Sequence, residues 1–300
     1  MTQSEASPPT RFDAATRGRI CVLLAAVLWS SSGLFAKSPL FDAWPVESRG
    51  TLLAFWRALF AGMILVPAVR KPRFRPALVP MALSFVAMSV AYLSSMTQTT
   101  AANAIWLQST APFWVFLFAC TTGFERIQRA DYVPLCFAAA GIGTILIFEL
   151  QGQNQIGIAL GLAAGMAYAG VVIFIRALRG EDSAWLIAVN HLVAAAILLP
   201  YVVATGYWPD GRQLLVLIAF GCFQMGLPYL LLARGLRSVS SQEATAIGLV
   251  EPLLLPLWVL AAYGERPAPW TLAGGGLILI GLVLRYGRPL AMLRNRRAAA

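Results

Sequence analysis

Ten apolar stretches of bilayer-crossing length follow one another along the chain, at about 19–37, 51–69, 77–96, 103–122, 131–149, 156–175, 184–204, 213–233, 243–262 and 269–286. A hydrocarbon core of about 30 Å is crossed by roughly 20 residues of helix, and these runs are continuous rather than alternating apolar with polar. In lipid every unpaired backbone N–H or C=O is costly, so each run must satisfy its own backbone as a helix. Composition points the same way: 59% of the 300 residues are hydrophobic and 12% charged, against roughly one-quarter charged in soluble domains. The expected fold is an all-α integral membrane protein of ten transmembrane helices. The connections, such as Pro39 to Pro45, Arg70 to Pro76, Gln151 to Gln155 and Trp208-Pro209-Asp210-Gly211, are short and rich in turn residues, leaving no room for an extramembrane domain.

A net charge of +10 would suit nucleic acid only if a folded soluble face gathered the basic residues, so no nucleic-acid partner is expected. With the N-terminus placed in the cytoplasm, 18 of the 23 Lys and Arg fall on the inner side, against Lys37, Arg49, Arg212 and Arg266 on the outer side and Arg57 within a span. The positive-inside rule then puts both termini in the cytoplasm, in a cell inner (plasma) membrane. Arg17 and Arg19 before the run Cys21 to Trp29 imitate a signal peptide, but an A-x-A cleavage site is missing and the run is needed as the first helix. Cys21, Cys120, Cys136 and Cys222 lie singly in apolar runs, without CxxC or ligand spacing, and read as small core residues.

The two halves repeat. At an offset of 140 residues Ala111-Pro112 falls on Glu251-Pro252, Glu125-Arg126 on Glu265-Arg266 and Gly141 on Gly281. With small gaps Trp29 meets Tyr168, Lys37 meets Arg176, Arg57 meets Asn190 and Pro67 meets Pro200. Five helices per half turn the second half over, which makes an inverted repeat, an architecture of secondary transporters. The expected division is a cytoplasmic tail at 1–17, repeats at 18–150 and 151–286, and a basic cytoplasmic tail at 287–300.

Leu249-Val250-Glu251-Pro252, then Gly264-Glu265-Arg266, then Gly274, Gly276 and Gly281 resemble the E-P … G-E-R … G … G run of the EamA-like group in the drug/metabolite transporter superfamily. The first half departs from that pattern with Ala111 in place of the Glu and Phe124 between Gly123 and Glu125. The resemblance covers residues of about 18–286. It implies transport, commonly export, of small metabolites such as amino acids through a central cavity between the halves, and leaves the solute open; the expected partners are that small-molecule solute and the lipid bilayer, with homodimer and monomer both open.

Glu251, near the middle of the ninth run, carries an insertion cost of ~2.5–3.5 kcal/mol that something must offset: a substrate amine, a proton, or a hydrogen bond to a neighbouring helix. Pro252 and Pro112 either free carbonyls toward a cavity or kink their helices. His191, the single histidine, suits proton coupling or an interhelical hydrogen bond. Arg57 could hold a substrate carboxylate, but pairing with Glu47 or snorkelling outward is the favoured reading. Trp29, Tyr92, Trp106, Gln108, Trp114, Tyr168, Gln224, Tyr229 and Trp258 lie inside runs, away from the interfacial belt where aromatic residues concentrate. The expected substrate site is Trp29, Tyr92, Trp106, Gln108, Tyr168, Gln224, Tyr229 and Glu251, with Glu251 and His191 as coupling residues. Gly157, Gly161 and Gly165 are expected to let backbones approach closely, and Glu265-Arg266 and Glu125-Arg126 to form charge pairs at opposite surfaces.

No GxxxxGK[ST], HExxH, Ser-His pair or carboxylate dyad occurs, so neither an ATP-driven pump nor an enzyme is expected, and neither cofactor nor metal. Besides transport, a lipid-handling or non-transporting membrane protein remains open at this point.

Overall fold

The computed structural model describes residues 11–122, 132–149, 152 and 154–298, which form helices joined by turns and short irregular loops. The elements are α1 (Arg11–Ser30), α2 (Ser32–Ala36), α3 (Val46–Leu65), α4 (Leu78–Gln98), α5 (Ala101–Gln108), α6 (Ala111–Thr122), α7 (Tyr132–Glu149), α8 (Gln155–Ala177), α9 (Ser183–Thr205), α10 (Gly211–Ala219), α11 (Leu227–Gly235), α12 (Ser241–Gly248), α13 (Glu251–Tyr263) and α14 (Pro269–Ala298). Among the described residues eight helices are long and apolar enough to cross a membrane. The expected fourth run is divided into α5 and α6, and the apolar part of α14 spans only Pro269–Arg285.

The division is the clearest trace of the repeat. α5 and α12 are both eight residues long and begin 140 positions apart, as do α6 and α13. Thr100 caps α5 by accepting from the Asn103 N–H, and Ser240 caps α12 by accepting from the Glu243 N–H. Pro112 and Pro252 are each the second residue of the helix that follows the break. There the missing N–H is one the helix would leave unpaired anyway, so these prolines start helices and neither kinks one.

Packing obeys the same exchange of halves. α4 packs on α8 and α1 on α11, α5 on α8 and α12 on α1, while α3 with α9 and α7 with α14 pair across the exchange itself. The α7–α14 contact shows it at atomic scale. A Cβ on Gly141 would lie 2.5 Å from the Gly274 carbonyl, and one on Gly281, 140 residues on, would lie 2.6 Å from the Pro134 carbonyl. Such reciprocity is the mark of a twofold relation. Gly157, Gly161 and Gly165 abut Thr99, Leu107 and the Leu107 carbonyl, and the Ser95 hydroxyl donates to the Gly157 carbonyl at 2.7 Å. Lipid offers no hydrophobic drive between helices, so these close approaches carry the association.

Large apolar side chains such as Met63, Leu83, Ile147, Ile156, Leu215 and Leu257 face outward, as a lipid-facing surface requires. Cys120 and Cys136 are exposed on that surface as well, which corrects their reading as core residues: each lies on the outward face of its helix.

At the end of the bundle carrying Arg70, Lys71 and Arg75, Asp182 caps α9 and gathers the loop between α3 and α4. Its carboxylate accepts from the Ala184, Arg70 and Lys71 N–H groups at 3.0, 2.7 and 2.9 Å. Burial pulls its pKa upward, but the N–H groups of Lys71, Arg70, Ala184 and Trp185 outweigh it and hold the carboxyl below its ordinary value. A carboxylate depressed in the folded state stabilises above its unfolded pKa of about 3.9 and loses that contribution as pH falls through the folded value. Asp182→Asn is therefore expected to lower Tm at pH 7, with the difference from wild type fading below about pH 4. A gap in Tm that is constant from pH 7 to pH 3 would refute this role.

Candidate functional site

Between α10 and α11 the span Gly211–Gly235 passes through a π-helical segment, Phe220–Gly226, which nothing in the sequence pattern foretells. Such segments widen the helix by one residue and re-aim side chains. The widening is accommodated by Gly221 and Gly226, which lie so close to α3 that a Cβ on either would strike Phe60 or Ile64. The segment therefore presses Phe220 and Gln224 into the bundle, where both are buried.

Arg57 faces Phe220, its guanidinium carbon 5.4 Å from the ring centroid. It is 3% exposed and its Nη2 donates to the Ser89 hydroxyl on α4 at 2.8 Å. Neither favoured sequence reading of Arg57 describes this position: it does not pair with Glu47 and it does not reach outward, because α4, α9 and the π segment close around α3. Its charge is felt instead by Tyr92, Tyr229 and Glu251.

Glu251 opens α13, near the middle of the span Glu243–Tyr263. The first turn of a helix presents unpaired N–H groups and a positive dipole end, which suits an acid there. Glu251 makes no hydrogen bond or ion pair with any described residue, and the groups that feel its charge are Arg57, Tyr92 and Tyr229.

Around these two charges lie several of the expected side chains. The rings of Trp29 and Tyr229 meet edge-on at 5.1 Å, and His191 lies 5.9 Å from Tyr229 and 4.6 Å from Phe85. Tyr92 shares a hydrogen bond of 3.0 Å with Ser32, and the Gln224 amide donates to the Trp29 carbonyl at 3.0 Å. Ser32 is available because the first span breaks at Ser31, where the hydroxyls of Ser30 and Ser31 bond to the Val27 and Leu28 carbonyls. His191 bonds through Nδ1 to the Ile187 carbonyl one turn back on its own helix, at 2.8 Å, so the expected interhelical hydrogen bond is not made. The Oε1 of Gln224 and the Nε2 of His191 are buried with no hydrogen-bond partner among the described residues.

The remaining expected residues lie elsewhere. Trp106 is buried against Gly275 of α14, and its indole N–H has no partner among the described residues. Gln108 ends α5 at the break, and Tyr168 is 40% exposed on α8. Trp114 donates to Thr110 and Trp258 to Ser30. Arg57, Ser32, Ser89 and Phe220 belong to the cluster, although the sequence pattern favours a peripheral place for the first and does not single out the others. Two serines and one more Phe in a chain of apolar runs carry no distinguishing signal.

One end of the bundle is closed by a charge clamp. Gly264 ends α13 with φ of 72°, a left-handed conformation that suits glycine, and turns the chain so that Glu265 meets Lys37 at 2.6 Å. Glu265 also accepts from the Ala101 N–H at 2.7 Å, and Lys37 donates to the Thr99 carbonyl at 2.6 Å. Glu265 thus joins Lys37, at the end of α2, to the start of α5, which corrects the expected Glu265–Arg266 pair, since Arg266 is exposed. Beside the clamp the single Thr271 hydroxyl proton lies between Asn103 Oδ1 at 2.9 Å and Glu149 Oε1 at 3.2 Å, and the Trp270 indole donates to Glu149 at 3.0 Å. The corresponding Glu125-Arg126 lies outside the described residues.

Comparison with known proteins places this arrangement. An uncharacterized transporter of Archaeoglobus fulgidus is 27% identical over 275 residues, 90% of this chain and 96% of the relative. Another from the same organism is 23% identical over 289 residues, 90% and 97% of the two chains. The uncharacterized transporter YwfM of Bacillus subtilis is 25% identical over 171 residues, 55% and 57% of the two. A protein of known crystal structure superposes on 89% of this chain and 95% of its own with a TM-score of 0.63 at 19% identity, a likeness that shows the fold alone. The model of the EamA-like transporter family matches once in each half, at residues 16–147 and 155–287, and the chain belongs to that family.

Proposed function

We propose that the chain is a secondary transporter that exports small metabolites such as amino acids or related amphiphilic solutes, by alternating access between its two halves. The observation that carries this reading is a set of unspent polar groups, the buried Gln224 Oε1 and His191 Nε2 together with the half-buried Glu251 carboxylate, which has no partner among the described residues, beside the rings of Trp29, Tyr92 and Tyr229, where the two halves meet. Buried polar atoms without partners are costly, and a solute that arrives and leaves is a partner that a static bundle lacks. In this reading α5 and α6 act together as the fourth span and α14 is the tenth, giving ten spans in two inverted sets of five, with both termini on the cytoplasmic side of the inner membrane. The substrate pocket is made by Trp29, Tyr92, Gln224, Tyr229 and Glu251, with Glu251 and His191 coupling transport to a proton. Trp106, Gln108 and Tyr168 serve packing or the route to the pocket.

Purified protein in liposomes is expected to move one or more of a panel of radiolabelled amino acids and amphiphilic cations faster than empty vesicles do. Glu251→Gln is expected to slow that flux by about tenfold or more, the effect of losing one charged hydrogen bond. A complete panel at the rate of empty vesicles would sink the transport reading for these solutes. Equal flux by wild type and Glu251→Gln, with and without a pH gradient, would remove Glu251 from the mechanism.

A further inference from the structure

The buried guanidinium of Arg57 has no anion. All but one of its N–H donors make no hydrogen bond with any described residue, and no carboxylate among those residues lies within ion-pair distance of it. The cluster's spare groups on the other side are all acceptors: the Glu251 carboxylate, Gln224 Oε1 and His191 Nε2, whose ring proton sits on Nδ1 if that atom donates to Ile187. Among the described residues these spare donors and spare acceptors make no hydrogen bond with one another. A buried cation left unpaired inside a membrane is a functional group awaiting a partner. A guanidinium held by Ser89 on one edge and Phe220 on its face presents its remaining edge in a fixed plane, the arrangement suited to a carboxylate.

We infer that Arg57 is the carboxylate anchor of a zwitterionic substrate whose ammonium group is taken by Glu251, Gln224 Oε1 and His191 Nε2. This rests on the transport reading above and narrows it to solutes carrying both charges, with an apolar remainder against Trp29, Tyr229 and Phe220. Amines without a carboxylate and acids without an ammonium each leave one set of groups unpaired.

The test uses ligand-dependent thermal stabilisation of the purified full chain by leucine, by 3-methylbutylamine (leucine without its carboxylate) and by 4-methylpentanoate (leucine without its ammonium), beside leucine flux in liposomes. Wild type is expected to bind leucine about tenfold or more tightly than either analogue, one charged hydrogen bond being worth at least that. Arg57→Gln is expected to lose the preference for leucine over the amine while binding the amine as wild type does, and Glu251→Gln to lose the preference over the acid. Equal binding of leucine and the amine by wild type overturns the inference, and leucine flux in the same preparation would leave transport standing. Uniform weakening of all three ligands in Arg57→Gln makes Arg57 a packing residue and overturns it too. No stabilisation by any of the three also overturns it. Leucine binding with the expected preference but without flux keeps the anchor and removes the transport reading. Should Arg57→Gln fail to fold, the wild-type ratios decide alone.

Discussion

Gly141→Leu is expected to unseat α14 from α7, whereas Gly143→Leu, two residues on, leaves the bundle unchanged. The Gly141 Cβ would lie 2.5 Å from the Gly274 carbonyl and 2.7 Å from the Ile278 side chain, and a Cβ on Gly274 would lie 2.7 Å from the Gly141 carbonyl. Both sides of the contact are backbone, so neither can swing away. Overpacking a core costs about 1–3 kcal/mol when side chains can shift, and a backbone contact lies at or above the upper end. In lipid there is no hydrophobic gain from the added Leu to offset it. A Cβ on Gly143 would meet nothing within 4 Å, so that position controls for the loss of a helical glycine. Melting in detergent with size-exclusion profiles would measure both. Equal Tm for the two variants would show that the close approach does not hold the halves together.

Breaking the Lys37–Glu265 clamp is expected to open the end of the bundle that it closes. Glu265 links Lys37 to the first N–H of α5, and their side chains are 20% and 23% exposed, so screening by water is partial. Glu265→Ala removes a charge-assisted pair and a helix cap together, about 2–3 kcal/mol by the usual worth of each. Each 1.4 kcal/mol shifts a two-state equilibrium tenfold, so the open population should rise about 30-fold or more. The measurement is maleimide labelling of a cysteine introduced at Ala101, which is fully buried under the clamp, in a background lacking the four native cysteines. An impermeant reagent applied to intact cells and to inverted vesicles also reports which side the clamp faces; the Lys and Arg distribution predicts the outer one. Identical labelling with and without Glu265 would mean that the clamp is a fastening only.

The G-E-R motif shows how far a sequence pattern reaches. That Gly264 and Glu265 matter was legible, since a glycine followed by an acid at a helix end has few uses. That Glu265 would bridge to Lys37, far away in the chain, was not, because the pairing depends on how α2, α5 and α13 meet. Glu251 was legible for a different reason: an acid in a run of Leu and Pro stands out against its insertion cost. Arg57 stood out equally, yet its local neighbours offered Glu47 and the membrane surface as outlets. The π segment left no trace in the sequence pattern, because Gly221 and Gly226 gain their meaning only from the Phe60 and Ile64 side chains of α3 that fill the space beside them.

From the sequence alone followed the helices, their burial in lipid and the 140-residue repeat, because hydrophobicity and period act locally along a chain; that Pro112 and Pro252 begin helices rather than kink them came from the structure. Tertiary structure alone decided which charges meet. Arg57 acquires Phe220 and Ser89 and lacks an anion, while Glu265 acquires Lys37, because inside a membrane a charge answers to whatever lies beside it in space, and neighbours in space come from the packing of helices far apart in sequence.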